Sequence, residues 1–249
     1  MKTILTSLII IFFLGSAPAQ MAEGVITYNR KTDWVSIMAK LPYVSSEEAD
    51  RARLTWGSNR DDKGQNYDLF LKDNKSLYTY KEEEEVSGSG WSWKKDEFFI
   101  YRDYKEKTLK DNKEELGVLF LIEDNIPRTK WKIHTEIKEV AGYLCMKAET
   151  TDTIKGQTIH AWFTDAIPSS AGPEGYGGLP GMILEIDIND GDAVITATEV
   201  NLETPVEKLP LPKKWKGKKV DNAEMDKKIK DFIAESVEGR RNPYWRIRY

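Results

Sequence analysis

The side chains best suited to chemistry in this chain are one cysteine and two histidines, Cys145, His134 and His160. A cysteine–histidine pair works as a nucleophile only when the two side chains lie within hydrogen-bond reach, about 3 Å. Residues 155–156 have the form of a two-residue hairpin turn, which would place His160 opposite Thr151. That position is about 20 Å along the strand from Cys145. The spacing therefore excludes a dyad with His160.

The turn predicted at residues 141–142 leads to the same conclusion for His134. It places Cys145 opposite Lys138, about 13 Å along the strand from His134. Neither histidine reaches the thiol, so we expect Cys145 to be a small buried residue and not a nucleophile.

Metal binding is weakly supported by the sequence. Two histidines and one cysteine that are far apart in the chain do not have the spacing of a zinc site. Polar residues at 187–192 are suited to calcium, namely Asp187, Asn189, Asp190 and Asp192. A tight hairpin turn requires the same residue types for backbone reasons. We favour the turn interpretation and predict no metal and no cofactor.

Other enzyme signatures are also missing from the sequence. Ser169 and Ser170 lack the Gly-x-Ser-x-Gly turn of a serine hydrolase. The glycines of residues 172–181 precede a strand, whereas a phosphate-binding loop opens a helix. An unrecognised hydrolase stays open as an alternative, with Asp165 or Glu174 as its carboxylates. We predict a protein without catalytic residues.

The first nineteen residues are predicted to be a secretory signal peptide. Lys2 precedes an apolar run at residues 4–14, and Ala17-Pro18-Ala19 has the form of a cleavage site. The expected mature chain is therefore exported, to the periplasm or the outer membrane, and retains no transmembrane segment. The net charge of −4 argues against nucleic-acid binding, and a single cysteine excludes an internal disulfide.

The elements that must position any site are mostly strands. Alternating hydrophobicity and turn residues predict a series of strands, the clearest at residues 132–140, 143–154, 157–164, 182–188 and 194–200. Residues 34–38 are expected to be strand and residues 45–53 a short exposed helix. The predicted fold is mainly β: a single curved antiparallel sheet, a half-barrel-like meander, covered by a C-terminal α-helix. Residues 20–203 form this β domain.

Residues 204–249 are expected to pack on the same domain. They comprise an extended basic connection, an amphipathic helix beginning near Asp221 and ending at Gly239, and a terminal strand. Aromatic and basic side chains are the candidates for binding or docking, namely Trp91, Trp93, Trp162, Tyr176, Trp215, Trp245, Arg246 and Arg248. An acidic partner or lipid headgroups would suit the basic clusters, although a solvated charged face explains them as well.

The most distinctive motif is Gly178-Leu179-Pro180-Gly181-Met182-Ile183. It resembles the motif that names the GLPGLI family of exported proteins, with Met182 in place of the usual leucine. Matching segments occur in the same order at residues 141–148, 161–164, 167–168 and 172–173. We expect the motif to be structural, with Gly181 setting the register of the strand that follows.

The resemblance implies a protein of Bacteroidota-type Gram-negative bacteria, of a family often encoded beside TonB-dependent outer-membrane receptors. It implies no catalytic residues. The expected function is a non-enzymatic accessory or binding protein that acts with such a receptor, or on a peptide or lipid-like ligand. By analogy with the half-barrels of periplasmic lipoprotein carriers, a carrier of acylated cargo is the alternative.

Overall fold

A computed structural model describes residues 21–56, 63–81, 97–204 and 206–249. The predicted signal peptide, Trp91 and Trp93 therefore lie outside the described residues. The structure has one sheet of twelve strands, which we number in chain order. They are β1 (Gly24–Thr32), β2 (Gln65–Lys72), β3 (Lys75–Tyr80), β4 (Phe98–Asp103), β5 (Thr108–Glu115), β6 (Val118–Asn125), β7 (Lys132–Val140), β8 (Tyr143–Asp152), β9 (Gln157–Thr164), β10 (Met182–Ile188), β11 (Ala193–Asn201) and β12 (Lys218–Val220).

The order of the strands across the sheet is β12-β6-β5-β4-β3-β2-β1-β11-β10-β9-β8-β7. The sheet is open, and β7 and β12 are its two edges. The predicted fold class, a mainly β meander with a C-terminal helix, is confirmed. One pair departs from the expected antiparallel arrangement, because β12 runs parallel to β6 and makes the sheet mixed.

The described chain also contains three α-helices, α1 (Trp34–Ala39), α2 (Ser46–Trp56) and α3 (Asn222–Glu238). The strand expected at residues 34–38 is wrong: the side chain of Asp33 accepts a hydrogen bond from the Ser36 N–H and starts α1 as an N-cap. The predicted residues cap helix α3: Asp221 precedes its first turn and Gly239 follows its last. No helix in the described part of the chain has the length and apolarity needed to cross a membrane.

Local turn chemistry explains the hairpins. Ala141 and Gly142 have φ angles of 49° and 83°, so they form the predicted two-residue turn, and Cys145 lies opposite Lys138. The turn after β8 is longer than predicted, because the Asp152 carboxylate accepts hydrogen bonds from the main-chain N–H groups of Ile154 and Lys155, and Asp152 pairs with Gln157.

This longer turn moves His160 by two positions. It lies opposite Glu149, and the sequence-based pairing with Thr151 is wrong. The side chain of His160 still lies on the same face of the sheet as predicted, because alternate residues of β8, such as Glu149 and Thr151, share a face.

The sheet curls around residues 243–249. The Lys155 amine donates to the carbonyl of Arg248 (2.6 Å), and the N–H of Arg248 donates to Glu115 (2.9 Å). Lys155 borders β9 and Glu115 ends β5, which are seven strand spacings apart, or about 34 Å in a flat sheet. Both can contact one residue only because the sheet is strongly curved.

The terminal strand predicted within these residues is not present. Pro243–Trp245 form a 3₁₀-helix in which Asn242 caps the Tyr244 N–H, and residues 246–249 are irregular. Side-chain hydrogen bonds hold this segment in place: the Tyr249 hydroxyl donates to Asp192 (2.5 Å) and accepts from Asn189 (2.5 Å).

Two clusters of buried apolar side chains stabilise the fold. The larger lies against β1–β4 and β7–β11, and it includes Met182 and Ile183 of the glycine-rich motif. The smaller lies under α3, where Met225 and Ile229 pack on Phe120 and Ile122 of β6.

Candidate functional site

The glycine-rich loop brings a carboxylate into the interior of the curled sheet. Glu174 has a φ of 57°, a left-handed conformation that is uncommon outside glycine, and it lies in a single 3₁₀ turn, Pro173–Gly175. Its carboxylate forms a two-point ion pair with Arg248, with oxygen–nitrogen distances of 2.7 and 2.5 Å. The Nε of Arg30 lies 3.5 Å from the same carboxylate.

Aromatic rings surround this ion pair. The guanidinium of Arg248 lies 4.4 Å from the centroid of Phe98 and 5.1 Å from that of Tyr67, at cation–π distance. Tyr67 stacks in turn on Tyr78 with centroids 5.0 Å apart, and burial raises the pKa of both phenols. The ion pair is therefore shielded from water on the side of these rings.

The charges in the cluster act strongly on Glu174. Burial alone would raise the pKa of this carboxyl group, but the neighbouring Arg248 and Arg30 outweigh it, and the pKa lies below its ordinary value. An ionised carboxylate held by two guanidiniums is not a free general base. Of the two carboxylates proposed for a hydrolase, Glu174 is therefore held in a buried ion pair. The other, Asp165, is exposed in the turn after β9.

A cleft of about 560 Å³ opens beside the C-terminal segment. Its walls include Trp34, Trp245 and Arg246, all exposed, and Arg248 lies deeper within it. Three of the predicted docking residues therefore meet at one cleft. A second cleft, of about 510 Å³, lies between α1 and α3 and is lined by both charged and apolar side chains.

The other aromatic candidates are dispersed. Trp162 is partly buried against the main core, and the amine of Lys138 lies 4.4 Å from its ring centroid. Trp215 packs edge-on against Phe99 and Tyr101. Tyr176 is partly buried against the main core. These contacts give the three side chains a packing role and do not bring them together.

The glycine-rich motif has the structural role that its composition suggests. A β-carbon added at Gly181 would collide with the main-chain carbonyl of Thr164 on the neighbouring strand. Met182 and Ile183 are fully buried, and the carbonyl of Ile183 accepts a hydrogen bond from Tyr28 (2.7 Å). Residues 181–183 thus dock the start of β10 in the core.

Cys145 is fully buried, and its Sγ lies 3.5 Å from the carbonyl of Tyr143. Burial raises the pKa of the thiol to about 11. A protonated, inaccessible thiol is not a nucleophile.

The carboxylates of the β10–β11 hairpin separate into two groups. Asp192 is fully buried and accepts hydrogen bonds from Lys40 (2.7 Å), Ser36 (2.7 Å) and Tyr249, so it is not available to a cation. Asp187 and Asp190 instead lie beside His160 on the outer face of the sheet. The register of β9 and β10 produces this grouping by pairing His160 with Asp187, and the sequence alone does not predict that register.

The edge strand β7 is largely exposed. Among the strands of the described residues it pairs only with β8, and its nine residues include two exposed isoleucines, Ile133 and Ile137. The mostly polar sequence of β7, in which Ile133, Ile137 and Val140 are the apolar residues, could have indicated an exposed strand, but only the strand order shows that it lies at an edge.

Comparisons with known proteins agree with this description at the level of fold. A family model described as "Protein of unknown function (Porph_ging)" matches residues 149–185, within the stretch that resembles the GLPGLI family. No curated protein matches the chain. Two crystal structures of PNGF-II, in space groups P21 and C2, have TM-scores of 0.53 and 0.52 and share 16% sequence identity with the chain. In both, the similarity covers 82% of this chain but 32% of PNGF-II, so the chain spans about a third of that protein.

Proposed function

We propose that this chain is an exported, non-enzymatic binding protein of the Gram-negative envelope, and that it binds an extended segment of a partner protein along the free edge of β7. The single observation that carries the proposal is the position of β7 at the end of the sheet order. No strand of residues 21–56, 63–81, 97–204 or 206–249 lies on its outer side, so its main-chain N–H and C=O groups on that side are available to a partner.

The two edges of the sheet differ in a way that supports this choice. At the other end, β12 is only three residues long, and Val220 within it is buried against α3. Short, covered edges are the usual protection against unwanted pairing. By contrast, β7 is nine residues long and largely exposed.

Exposed apolar side chains follow the same edge. Ile133 pairs with Ala148 and Ile137 with Met146, so the two isoleucines share one face of the sheet. Leu144, two residues before Met146, lies on that face as well. Ile133 is 51% exposed, Ile137 64% and Leu144 72%. A partner strand would gain main-chain hydrogen bonds from β7 and apolar contacts from these side chains.

The proposed partner is an outer-membrane receptor of the TonB-dependent class. The predicted signal peptide supports export, and the family match at residues 149–185 overlaps the motif on which the GLPGLI resemblance rests. We accordingly propose GLPGLI membership and location in the periplasm or at the outer membrane as parts of the same hypothesis.

Two alternatives have less support. A carrier of acylated cargo needs an enclosed apolar cavity, whereas in the described residues the space inside the curl holds the ion pair of Glu174 and Arg248 with its aromatic neighbours. A hydrolase needs carboxylates that converge on an accessible pocket, and Glu174 is engaged by two arginines.

The test is crosslinking to outer-membrane fractions. A photoreactive maleimide is placed at Ile137→Cys, and at Trp245→Cys as the matched control in the cleft; the buried Cys145 should not be labelled. Both positions are exposed, so both variants should fold. We expect the Ile137 probe, and not the Trp245 probe, to crosslink a TonB-dependent receptor.

A second pair of variants measures the contribution of the edge. Ile137→Asp with Leu144→Asp should weaken capture of that receptor at least about tenfold, since two apolar contacts are replaced by charges. Trp245→Ala should leave capture unchanged. Capture that depends on Trp245 and not on Ile137 would contradict the edge proposal, as would recovery of no membrane protein at all.

A further inference from the structure

The outer face of the sheet, opposite the main core, carries a cluster of potential metal ligands. His160 on β9 pairs directly with Asp187 on β10, and Asp190 lies in the turn that follows β10. One ligand atom from each of these three side chains lies within 4.8 Å of the others. Within this set, Nδ1 of His160 lies 3.3 Å from a carboxylate oxygen of Asp190.

We propose that His160, Asp187 and Asp190 bind a divalent transition-metal ion, with Zn²⁺ the best fit. Histidine nitrogen and aspartate oxygen bind zinc at about 2.0–2.2 Å, which in a tetrahedral site places ligand atoms about 3.3 Å apart. The 3.3 Å between His160 and Asp190 already fits this geometry, and a separation of 4.8 Å would have to close by about 1.5 Å. Asp190 can make this movement because its side chain is 83% exposed. Three protein ligands leave the fourth position to water.

A second carboxylate lies behind the histidine. Oε2 of Glu149 is 3.5 Å from Nε2 of His160, on the side of the ring away from Asp190. A histidine that ligates a metal through one nitrogen commonly directs its other N–H at a carboxylate, which sets the tautomer and orients the ring. Glu149 is placed for that role and leaves Nδ1 of His160 free to face the two aspartates.

Turn geometry does not account for this arrangement. The hairpin turn explains why one oxygen of Asp187 accepts a hydrogen bond from the Gly191 N–H (2.6 Å). It requires neither a histidine on the neighbouring strand nor a carboxylate behind that histidine. The other oxygen of Asp187 stays available to an ion.

The ligand set selects the class of ion. Imidazole nitrogen is a good ligand for Zn²⁺, Co²⁺, Ni²⁺ and Cu²⁺, whereas Ca²⁺ and Mg²⁺ prefer oxygen alone. A site with one nitrogen and two carboxylate oxygens should therefore take zinc in preference to calcium. This differs from the calcium hypothesis at residues 187–192, because Asp192 and Asn189 are engaged in hydrogen bonds of the fold.

The test is metal titration of the purified full chain. Zn²⁺ binding is measured by calorimetry, and Co²⁺ is used as a coloured substitute whose absorption reports a nitrogen ligand and four-coordinate geometry. We expect one ion per chain and no competition from millimolar calcium. His160→Ala and Asp190→Asn should abolish binding, and Glu149→Gln should weaken it about tenfold or more by releasing the ring.

Matched variants keep the result interpretable. Glu136→Gln removes a carboxylate from the same face that is paired with Lys147 (2.9 Å), and it should bind zinc as the unmodified chain does. Thermal unfolding of each variant without metal verifies that it is folded. Unchanged binding by folded His160→Ala, or no saturable binding by the unmodified chain at millimolar zinc, would overturn the proposal.

A third outcome would move the site. His134 also faces Glu149, with Nε2 3.6 Å from its carboxylate. If His134→Ala abolished binding as completely as His160→Ala, the ion would lie between the two histidines and the assignment to Asp187 and Asp190 would be wrong. The zinc proposal does not depend on strand addition at β7, and either can fail without the other.

Discussion

Replacing Glu174 by glutamine should strongly destabilise the protein, because it removes the only carboxylate that the described structure places between Arg248 and Arg30. Glutamine has nearly the same shape and keeps the left-handed turn, so the change is mainly one of charge. Two largely buried guanidiniums then lack their counter-charge. Breaking a buried pair in this way costs about 3–5 kcal/mol in the free energy of unfolding.

The pH dependence of stability tests the same prediction independently, because the stability difference between the two proteins should narrow in acid. Arg248 and Arg30 hold the pKa of Glu174 below its ordinary value despite burial. A depressed carboxyl pKa contributes stability that is fully present above the unfolded-state pKa, about 4.3. That contribution is lost as the pH falls from about 4.3 through the lower pKa of the folded protein. The glutamine variant has no such group, so its stability should approach that of the unmodified chain as the pH falls through this range.

Urea unfolding followed by tryptophan fluorescence at pH 7 and between pH 3 and pH 5 measures both effects. Glu199→Gln is the control, since that glutamate is exposed and lies 3.8 Å from Lys81. A surface pair of this kind contributes at most about 1 kcal/mol. If Glu174→Gln lost no more than Glu199→Gln at pH 7, or if the gap did not narrow in acid, the proposed role of the buried ion pair would be refuted.

Two further predictions concern the core. Gly181→Val should prevent folding or cost several kcal/mol of stability, because the added β-carbon meets the Thr164 carbonyl. Gly178→Ala should cost only about 1–2 kcal/mol, because Gly178 has a positive φ but open space around it. Circular dichroism and urea unfolding compare the two variants, and a stable Gly181→Val would contradict the packing argument. Cys145 should react with a thiol reagent at pH 8 only after unfolding, because burial raises its pKa to about 11, and rapid labelling of the folded protein would show that the thiol is accessible.

Local features could be predicted because neighbouring residues encode them. The turn at Ala141–Gly142 follows from the freedom of glycine at positive φ, and the pairing of Cys145 with Lys138 follows from that turn. Helix α3 follows from the cap at Asp221 and a periodic apolar stripe. The class of fold, a mainly β meander with a C-terminal helix, is the sum of such local signals.

Small local differences had large effects on the candidate sites. The Asp152 carboxylate lengthens one turn by two residues, which moves His160 from Thr151 to Glu149. That shift places Glu149 behind His160, and the separate register of β9 and β10 brings His160 beside Asp187 in the proposed zinc cluster. Helix α1 forms where the sequence predicts a strand for a similar reason, since the cap at Asp33 outweighs an ambiguous apolar pattern.

The sequence by itself determined the approximate positions of the hairpins and the C-terminal helix, because each depends on interactions between residues close together in the chain, although the exact length of the turn after β8 was not obtained. Only the tertiary structure decided that β7 is a free edge and that Glu174 pairs with Arg248, 74 residues away. The physical reason is the curl of the sheet. It brings the loop of Glu174, Arg30 of β1 and the last residues of the chain together, and no local pattern in the sequence predicts contacts between such distant residues.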